Sequence, residues 1–217
     1  GKCKCLCRSP WFGNRCESRL STNVPWHATI LSLNNEILCS GALIRWGKTQ
    51  YVVTTASCAK GISTNGYVRL GENGKMEPIA IKSIKIVKKD FAFIVLKKKM
   101  RLSKNVYPIK VARATPKKPA IVTVLECGSF LRNLQTTIPR LHTVCRKAFN
   151  PPLKIWKEFC TLPADLPSTR KNGSPLVQFN KRRPFLVGLL TDIAETSLPA
   201  ARFGKYLKTD RLFRRKR

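Results

Sequence analysis

The alternation of apolar and polar stretches along the chain predicts β-strands joined by short turns. Two apolar runs, residues 37–44 and 51–56, lie on either side of a polar stretch at residues 45–50. Runs of this length, rich in branched side chains and separated by a glycine-containing turn, are typical of a β-hairpin. One cysteine lies toward each outer end, at Cys39 and Cys58. The pattern therefore predicts a hairpin closed by a Cys39–Cys58 disulfide.

Further short apolar segments follow the hairpin at close intervals. They occupy residues 66–70, 78–87 and 91–96, and the turn signals among them are Asn65-Gly66 and the glycine-rich stretch at 71–74. Closely spaced strands with such turns are expected for an antiparallel barrel. Residues 106–118 then have the character of a connecting strap, and the β-branched run at 120–125 begins a second group of strands. The pattern predicts an all-β protein.

Five motifs within this pattern resemble those of the trypsin-like serine proteases. Pro25-Trp26, CSGALI at 39–44 and VTTASC at 53–58 are similar to the family's PW, CGGSLI and LTAAHC. The DFAFIVLK run that begins at Asp90 resembles DIALLKL, and RKNGSPLV at 170–177 resembles GDSGGPLV. The resemblance covers residues 25–217. It implies two six-stranded antiparallel β-barrels followed by a C-terminal α-helix.

The same resemblance divides the chain into parts. It implies a first barrel at about 25–106, a second barrel at about 107–202 and a basic helix at about 203–217. Before the barrels, residues 18–24 are polar and are expected to form a linker. Residues 1–17 contain four cysteines and a Trp-Phe-Gly motif, and they resemble the C-terminal half of an EGF-like module.

Nine cysteines indicate an oxidising compartment, and we expect the protein to be extracellular or in a secretory granule. The EGF-like resemblance implies a Cys7–Cys16 disulfide, and the protease resemblance implies a Cys145–Cys160 disulfide. Cys3, Cys5 and Cys127 are left without an assigned partner. Because the first cysteines alternate as CKCLC, and the chain has only two histidines, zinc is not expected. No cofactor is expected either.

The residues at the positions that carry catalysis in the family differ from the family pattern. Ser57 stands where the family has its histidine base, and Asn172 stands where it has its nucleophilic serine. Asp90 matches the acid of the triad, and Arg170 replaces the glycine of the oxyanion hole. A serine hydroxyl cannot accept and return a proton as an imidazole does, and an amide is not a nucleophile. We therefore expect no catalytic residues and predict that the chain is not an enzyme.

Charge is the property that most changes this picture. The chain has 42 Lys plus Arg against 11 Asp plus Glu, a formal net charge of +31. A charge imbalance of this size attracts polyanions over a long range. Basic residues cluster at 97–101, at 181–183 and in the C-terminal segment 205–217. The candidate polyanion-binding residues are Lys97, Lys98, Lys99, Arg101, Lys181, Arg182, Arg183, Lys205, Lys208, Arg211, Arg214, Arg215, Lys216 and Arg217.

The expected partners are sulfated glycosaminoglycans or anionic lipid and lipopolysaccharide. Specific nucleic-acid binding is not expected, because the aromatic and glycine patterns of RNA modules and the spacing of zinc fingers are absent from the sequence. No apolar run approaches the length of about eighteen residues that a transmembrane helix needs. We predict a secreted, non-catalytic protease homologue that binds polyanions. The alternative is a regulatory cofactor or decoy that binds a protease or an inhibitor in a proteolytic cascade.

Overall fold

A computed structural model of the chain describes residues 11–12, 18–19, 24–62, 64–71, 76–87, 91–112, 120–125, 131–136, 158–161, 172–180, 183–194 and 200–205. Side chains are described at 24–62, 64–71, 76–87, 91–112, 172–180 and 183–191. Near the start of the chain, β1 (Trp11–Phe12) pairs antiparallel with β2 (Ser18–Arg19). Ser18 and Arg19 fall in the stretch predicted as a linker.

Six antiparallel strands form a closed barrel in the first half of the chain. The strands are β3 (His27–Leu31), β4 (Ile37–Trp46), β5 (Thr49–Thr55), β6 (Tyr67–Leu70), β7 (Ile79–Val87) and β8 (Phe91–Leu96), arranged in the order β3-β4-β5-β8-β7-β6. The first predicted barrel is therefore present. The apolar runs at 66–70, 78–87 and 91–96 correspond to β6, β7 and β8 within one residue at either end.

The β4–β5 hairpin is longer than the sequence pattern predicts. Arg45 and Gln50, which the pattern places in a turn, are directly opposite each other in the ladder, and Trp46 pairs with Thr49. The turn itself is therefore only Gly47 and Lys48. Gly47 has a φ of 57°, which a glycine adopts readily at the first position of a two-residue hairpin turn.

A second, seven-stranded sheet contains the later strands. They are β9 (Lys110–Val111), β10 (Ala120–Leu125), β11 (Leu131–Thr136), β12 (Glu158–Thr161), β13 (Pro175–Asn180), β14 (Arg183–Ala194) and β15 (Ala200–Lys205). Their order is β13-β10-β11-β12-β15-β14-β9, with an additional pairing between β13 and β14. Among the described strands, β9 and β14 are the one pair that is parallel. The second barrel remains a prediction.

Among the described residues the helix content is a single turn, α1 (Ala56–Lys60). Thr55 caps this helix, because its side chain accepts a hydrogen bond from the Cys58 amide. The helix predicted from residue 203 is wrong at its start. Phe203 lies in β15, where it pairs with Phe159 on one side and Leu190 on the other. Backbone pairing to two neighbours outweighs the helical spacing of the apolar residues there. Residues 206–217 lie outside the described residues.

Three of the barrel strands bury apolar side chains on both faces. On β4, β5 and β8, Leu43, Val52 and Ile94 point into the barrel. Their chain neighbours Ile44, Val53 and Phe93 belong to a different cluster, packed against apolar side chains of the second sheet, namely Val177, Leu186 and Leu189. Successive residues of a strand point to opposite faces. Burial of both faces therefore explains the continuous apolar runs in this sequence.

The predicted disulfide between Cys39 and Cys58 is present, and it joins β4 to α1. Both cysteines are buried in the interior cluster of the barrel. The bond closes a loop with a sequence separation of 19 residues. In the loop-entropy description a closure of this length stabilises the folded chain by about 3 kcal/mol.

The first barrel and the second sheet also meet through backbone at Gly173. The Ser40 amide donates to the carbonyl of Asn172 at 3.0 Å, and the Gly173 amide donates to the carbonyl of Leu190 at 2.8 Å. Gly173 has a φ of 88°, and a Cβ there would fall well inside 3.0 Å of the Ser40 carbonyl and of Thr54 Oγ1. Only glycine fits this position without displacing β4 or β5.

His27, the first residue of β3, is buried with 5% of its surface exposed. Among the described residues its Nε2 atom finds no hydrogen-bond partner. Burial disfavours the charged imidazolium and lowers the pKa of His27 from 6.5 to about 4. The side chain is therefore neutral at physiological pH.

We expect Gly173→Ala to destabilise the protein by about 3 kcal/mol, from left-handed backbone strain and from overpacking against β4 and β5. Gly47→Ala is the matched control, because Gly47 also has a positive φ but no atom of the described residues lies within 4 Å of its added Cβ. We expect the control to cost about 1 kcal/mol. Urea unfolding of both variants measures the difference. Equal losses would contradict a close approach at Gly173.

The buried His27 should make stability depend on pH. Above about pH 6.5 the residue is neutral in both the folded and the unfolded chain. As the pH falls from there toward 4, the unfolded chain binds a proton that the folded chain does not, so stability is lost by up to about 3 kcal/mol. Comparison of urea unfolding between pH 4 and 7 should show a shallower loss for His27→Gln. The same pH slope in both proteins would contradict the assignment.

Candidate functional site

Ser57, at the position of the family's histidine, lies on α1 with its side chain exposed. Its Oγ is 3.1 Å from Thr55 Oγ1, and either hydroxyl can be the donor. The same Thr55 oxygen accepts the hydrogen bond that caps α1. The disulfide at Cys58 and this cap hold the backbone around Ser57, so the barrel fixes the position of the hydroxyl.

Asn172, at the position of the family's nucleophile, is exposed in the turn before β13. Its backbone is held from both sides, by the Ser40 amide of β4 at Asn172 and by the Leu190 carbonyl of β14 at Gly173. Leu190 in turn donates its own amide to the carbonyl of the buried Ser174 at 2.9 Å. Backbone hydrogen bonds to strands of both sheets therefore hold the turn, while the Asn172 side chain is exposed.

The other residues predicted around this site lie outside the described residues. These are Asp90 and Arg170, together with the cysteines of the two remaining predicted disulfides apart from Cys160. Cys160 lies in β12, where its backbone is paired with that of Arg202. Among the described residues the only histidine is His27, which is buried and neutral at physiological pH.

The predicted basic residues are divided in the same way. Lys97, Lys98, Lys99 and Arg101 follow β8 with all four side chains exposed, and Arg183 is exposed at the start of β14. Lys205 is the last residue of β15. The remaining members of the set lie outside the described residues: Lys181, Arg182, Lys208, Arg211, Arg214, Arg215, Lys216 and Arg217.

Gln50 holds the basic segment after β8 in place. Its side-chain Nε2 donates to the Met100 carbonyl at 2.9 Å, and its Oε1 accepts from the Met100 amide at 2.8 Å. Both polar atoms of one amide are thus used on one backbone residue, 50 positions away along the chain. The sequence pattern assigned Gln50 to a turn, and no local signal in the sequence reveals this long-range contact.

The described part of the chain contains no helix long and apolar enough to cross a membrane. It also contains no group of three or more His, Cys, Asp or Glu side chains that could hold a metal ion.

Comparison with known proteins agrees with the arrangement of strands. Two solved structures are similar to the chain, "Kallikrein-related peptidase 10 complex with Zn2+" and "Kallikrein-related peptidase 10". The first has 15% sequence identity and a TM-score of 0.67, covering 87% of this chain and 91% of that one. The second has 17% identity and a TM-score of 0.70, covering 88% and 96%. At these identities the likeness shows the fold. No curated protein matches the chain.

The family model for trypsin matches residues 13–200. Its match begins inside the segment that resembles an EGF-like module. Trypsin-like proteins are serine proteases, which are enzymes, so this assignment contradicts the prediction that the chain is not an enzyme. That prediction was drawn from single positions such as Ser57 and Asn172 and from one mechanism, whereas the family match extends over most of the chain. Together with the six-stranded barrel and the Cys39–Cys58 disulfide, the match shows that the chain belongs to the trypsin family.

Proposed function

We propose that this trypsin-family protein is secreted and binds polyanions, such as heparin-like glycosaminoglycans or anionic microbial surfaces, through its basic surface. The observation that carries the proposal is the charge exposed by the folded chain. Of the Lys and Arg side chains described, all but the half-buried Arg69 are exposed: Arg45, Lys48, Lys60, Lys82, Lys85, Lys97, Lys98, Lys99, Arg101, Lys104, Lys110 and Arg183. The acidic side chains described are Glu36 and Glu77.

This imbalance exceeds what solubility requires. A small domain stays soluble with a net charge of about 2 to 8, whereas the whole chain has +31. Like charges on one surface repel each other and oppose folding, so a surface of this kind is best explained by a ligand that offsets the repulsion. A sulfated or phosphorylated polymer does so at many points at once and releases its own counterions when it binds.

Secretion is supported by two features of the chain. A disulfide forms and persists in oxidising compartments, and Cys39–Cys58 is buried in the barrel. The remaining cysteines, seven of the nine in the chain, extend the same argument. An extracellular or granule location also brings the basic surface into contact with sulfated polysaccharides.

We expect the folded protein to remain bound to immobilised heparin well above the physiological ionic strength of about 0.15 M. Stepwise salt elution measures this, and the logarithm of the affinity should fall linearly with the logarithm of the salt concentration. A size-matched unfolded polypeptide of similar net charge is the control, and it should elute earlier.

Elution of the folded protein near physiological salt, with no advantage over the unfolded control, would contradict polyanion binding. The alternative function, binding of a protease or an inhibitor in a cascade, would then be tested by capture of a protein partner at moderate salt.

A further inference from the structure

We infer that the polyanion site lies at one end of the first barrel, where the β4–β5 hairpin and the segment after β8 come together. We call it the hairpin–loop patch, and it consists of Arg45, Lys48, Lys97, Lys98, Lys99 and Arg101. Arg45 and Lys48 belong to no predicted basic cluster. This inference rests on the proposed function, and it adds where the ligand binds and which class of polyanion it is.

Strand register brings the two parts of the patch together. β5 pairs antiparallel with β8, with Val52 opposite Ile94. Toward the hairpin tip, β5 runs from Val52 back to its first residue, Thr49. Over the same distance the neighbouring strand runs from Ile94 past Leu96, where β8 ends. Lys48 at the tip therefore lies beside the point where the chain leaves β8. The basic run from Lys97 begins at that point.

The Gln50 clamp fixes the patch more closely. Arg45 lies directly opposite Gln50, so their side chains are on the same face of the hairpin. On that face the Gln50 amide grips the backbone of Met100 through two hydrogen bonds. Arg101 follows Met100 in the chain. Gln50 is thus a positioning residue that joins the hairpin's cations to those of the loop, 50 residues apart in sequence.

The chemistry of the patch favours a sulfated polysaccharide over a lipid surface. Stable binding in a membrane interface combines attraction to anionic lipid with apolar side chains that enter the lipid. The large apolar side chains exposed in the described part of the chain are Leu33, Ile37, Ile86 and Tyr107. None of them belongs to the hairpin tip or to the segment 97–101. The apolar side chains in the two segments of the patch, Trp46 and Met100, are half-buried. Exposed cations spread over two loops suit the repeated sulfates of a linear glycosaminoglycan.

The test measures the affinity of a heparin oligosaccharide at several salt concentrations. The double variant Arg45→Gln/Lys48→Gln should bind about tenfold more weakly and reduce the salt slope by about 2, since each lost cation removes about one counterion released. Lys60→Gln/Lys110→Gln is the charge-matched control. Lys60 is the last residue of α1, which follows the end of β5 that is farthest from the hairpin turn. Lys110 lies on β9, and both lysines are exposed.

A second pair of variants tests the clamp without changing the charge. Gln50→Ala removes both hydrogen bonds to Met100 and should weaken heparin binding severalfold at an unchanged net charge. Gln178→Ala is the matched control, because Gln178 is also a half-buried strand glutamine, on β13. Its affinity should equal that of the parent protein. Thermal unfolding checks that each variant is folded. If Gln50→Ala does not fold, the Arg45→Gln/Lys48→Gln variant still tests the patch, because both of its side chains are exposed.

Two results would overturn the inference while leaving the proposed function intact. In the first, the parent protein binds heparin, but each patch variant loses no more affinity than its matched control. In the second, the patch variants keep heparin affinity and lose only binding to phosphatidylserine vesicles. Failure of the parent protein itself to bind heparin above physiological salt is a different outcome, because it refutes the proposed function.

Discussion

The close contact between the first barrel and the second sheet is the constraint on which the rest of the structure depends. At Gly173 two backbones approach so closely that no side chain can stand between them. A cluster that includes Val53, Phe93 and Leu186 packs side chains of the barrel against those of the second sheet. A six-stranded barrel has a small interior, so burial of its outer face adds a second core that the barrel alone would lack. The backbone of Asn172 is fixed by this contact, whereas Ser57 is held within the barrel by the Thr55 cap of α1 and by the Cys39–Cys58 disulfide.

The spacing of apolar segments explains which parts of the fold could be predicted from the sequence. Strands β6, β7 and β8 are separated by polar or glycine-containing segments, so their bounds follow from the pattern, although Arg69 lies within β6 and Lys82, Ser83 and Lys85 lie within β7. The Cys39–Cys58 disulfide follows from the position of one cysteine toward each outer end of the predicted hairpin. The β4–β5 hairpin was predicted too short, because Arg45 and Gln50 are polar and yet pair in the ladder. A polar pair at an exposed strand end looks like a turn when only the sequence is considered.

Features formed by distant segments could not be predicted from local patterns. The helical spacing at Phe203 was misleading because β12 and β14 supply pairing partners on both sides. β14 directly precedes β15 in the chain, but β12 is remote in sequence from it. The Gln50 clamp is a contact of the same kind. The prediction that the chain is not an enzyme failed for a related reason. It judged Ser57 and Asn172 one position at a time, whereas membership of a serine protease family is a property of the whole chain.

The uncharged nature of the clamp has a consequence for a protein with a net charge of +31. Lys97, Lys98 and Lys99 are adjacent and exposed, so their mutual repulsion favours an extended, disordered segment at low salt. An ion pair that opposed this repulsion would itself weaken as salt is added. Hydrogen bonds from the neutral amide of Gln50 to the backbone of Met100 are not screened in this way. Order in the hairpin–loop patch should therefore persist across a salt series, and the salt dependence of ligand binding then reports the contacts with the ligand rather than the loss of the site.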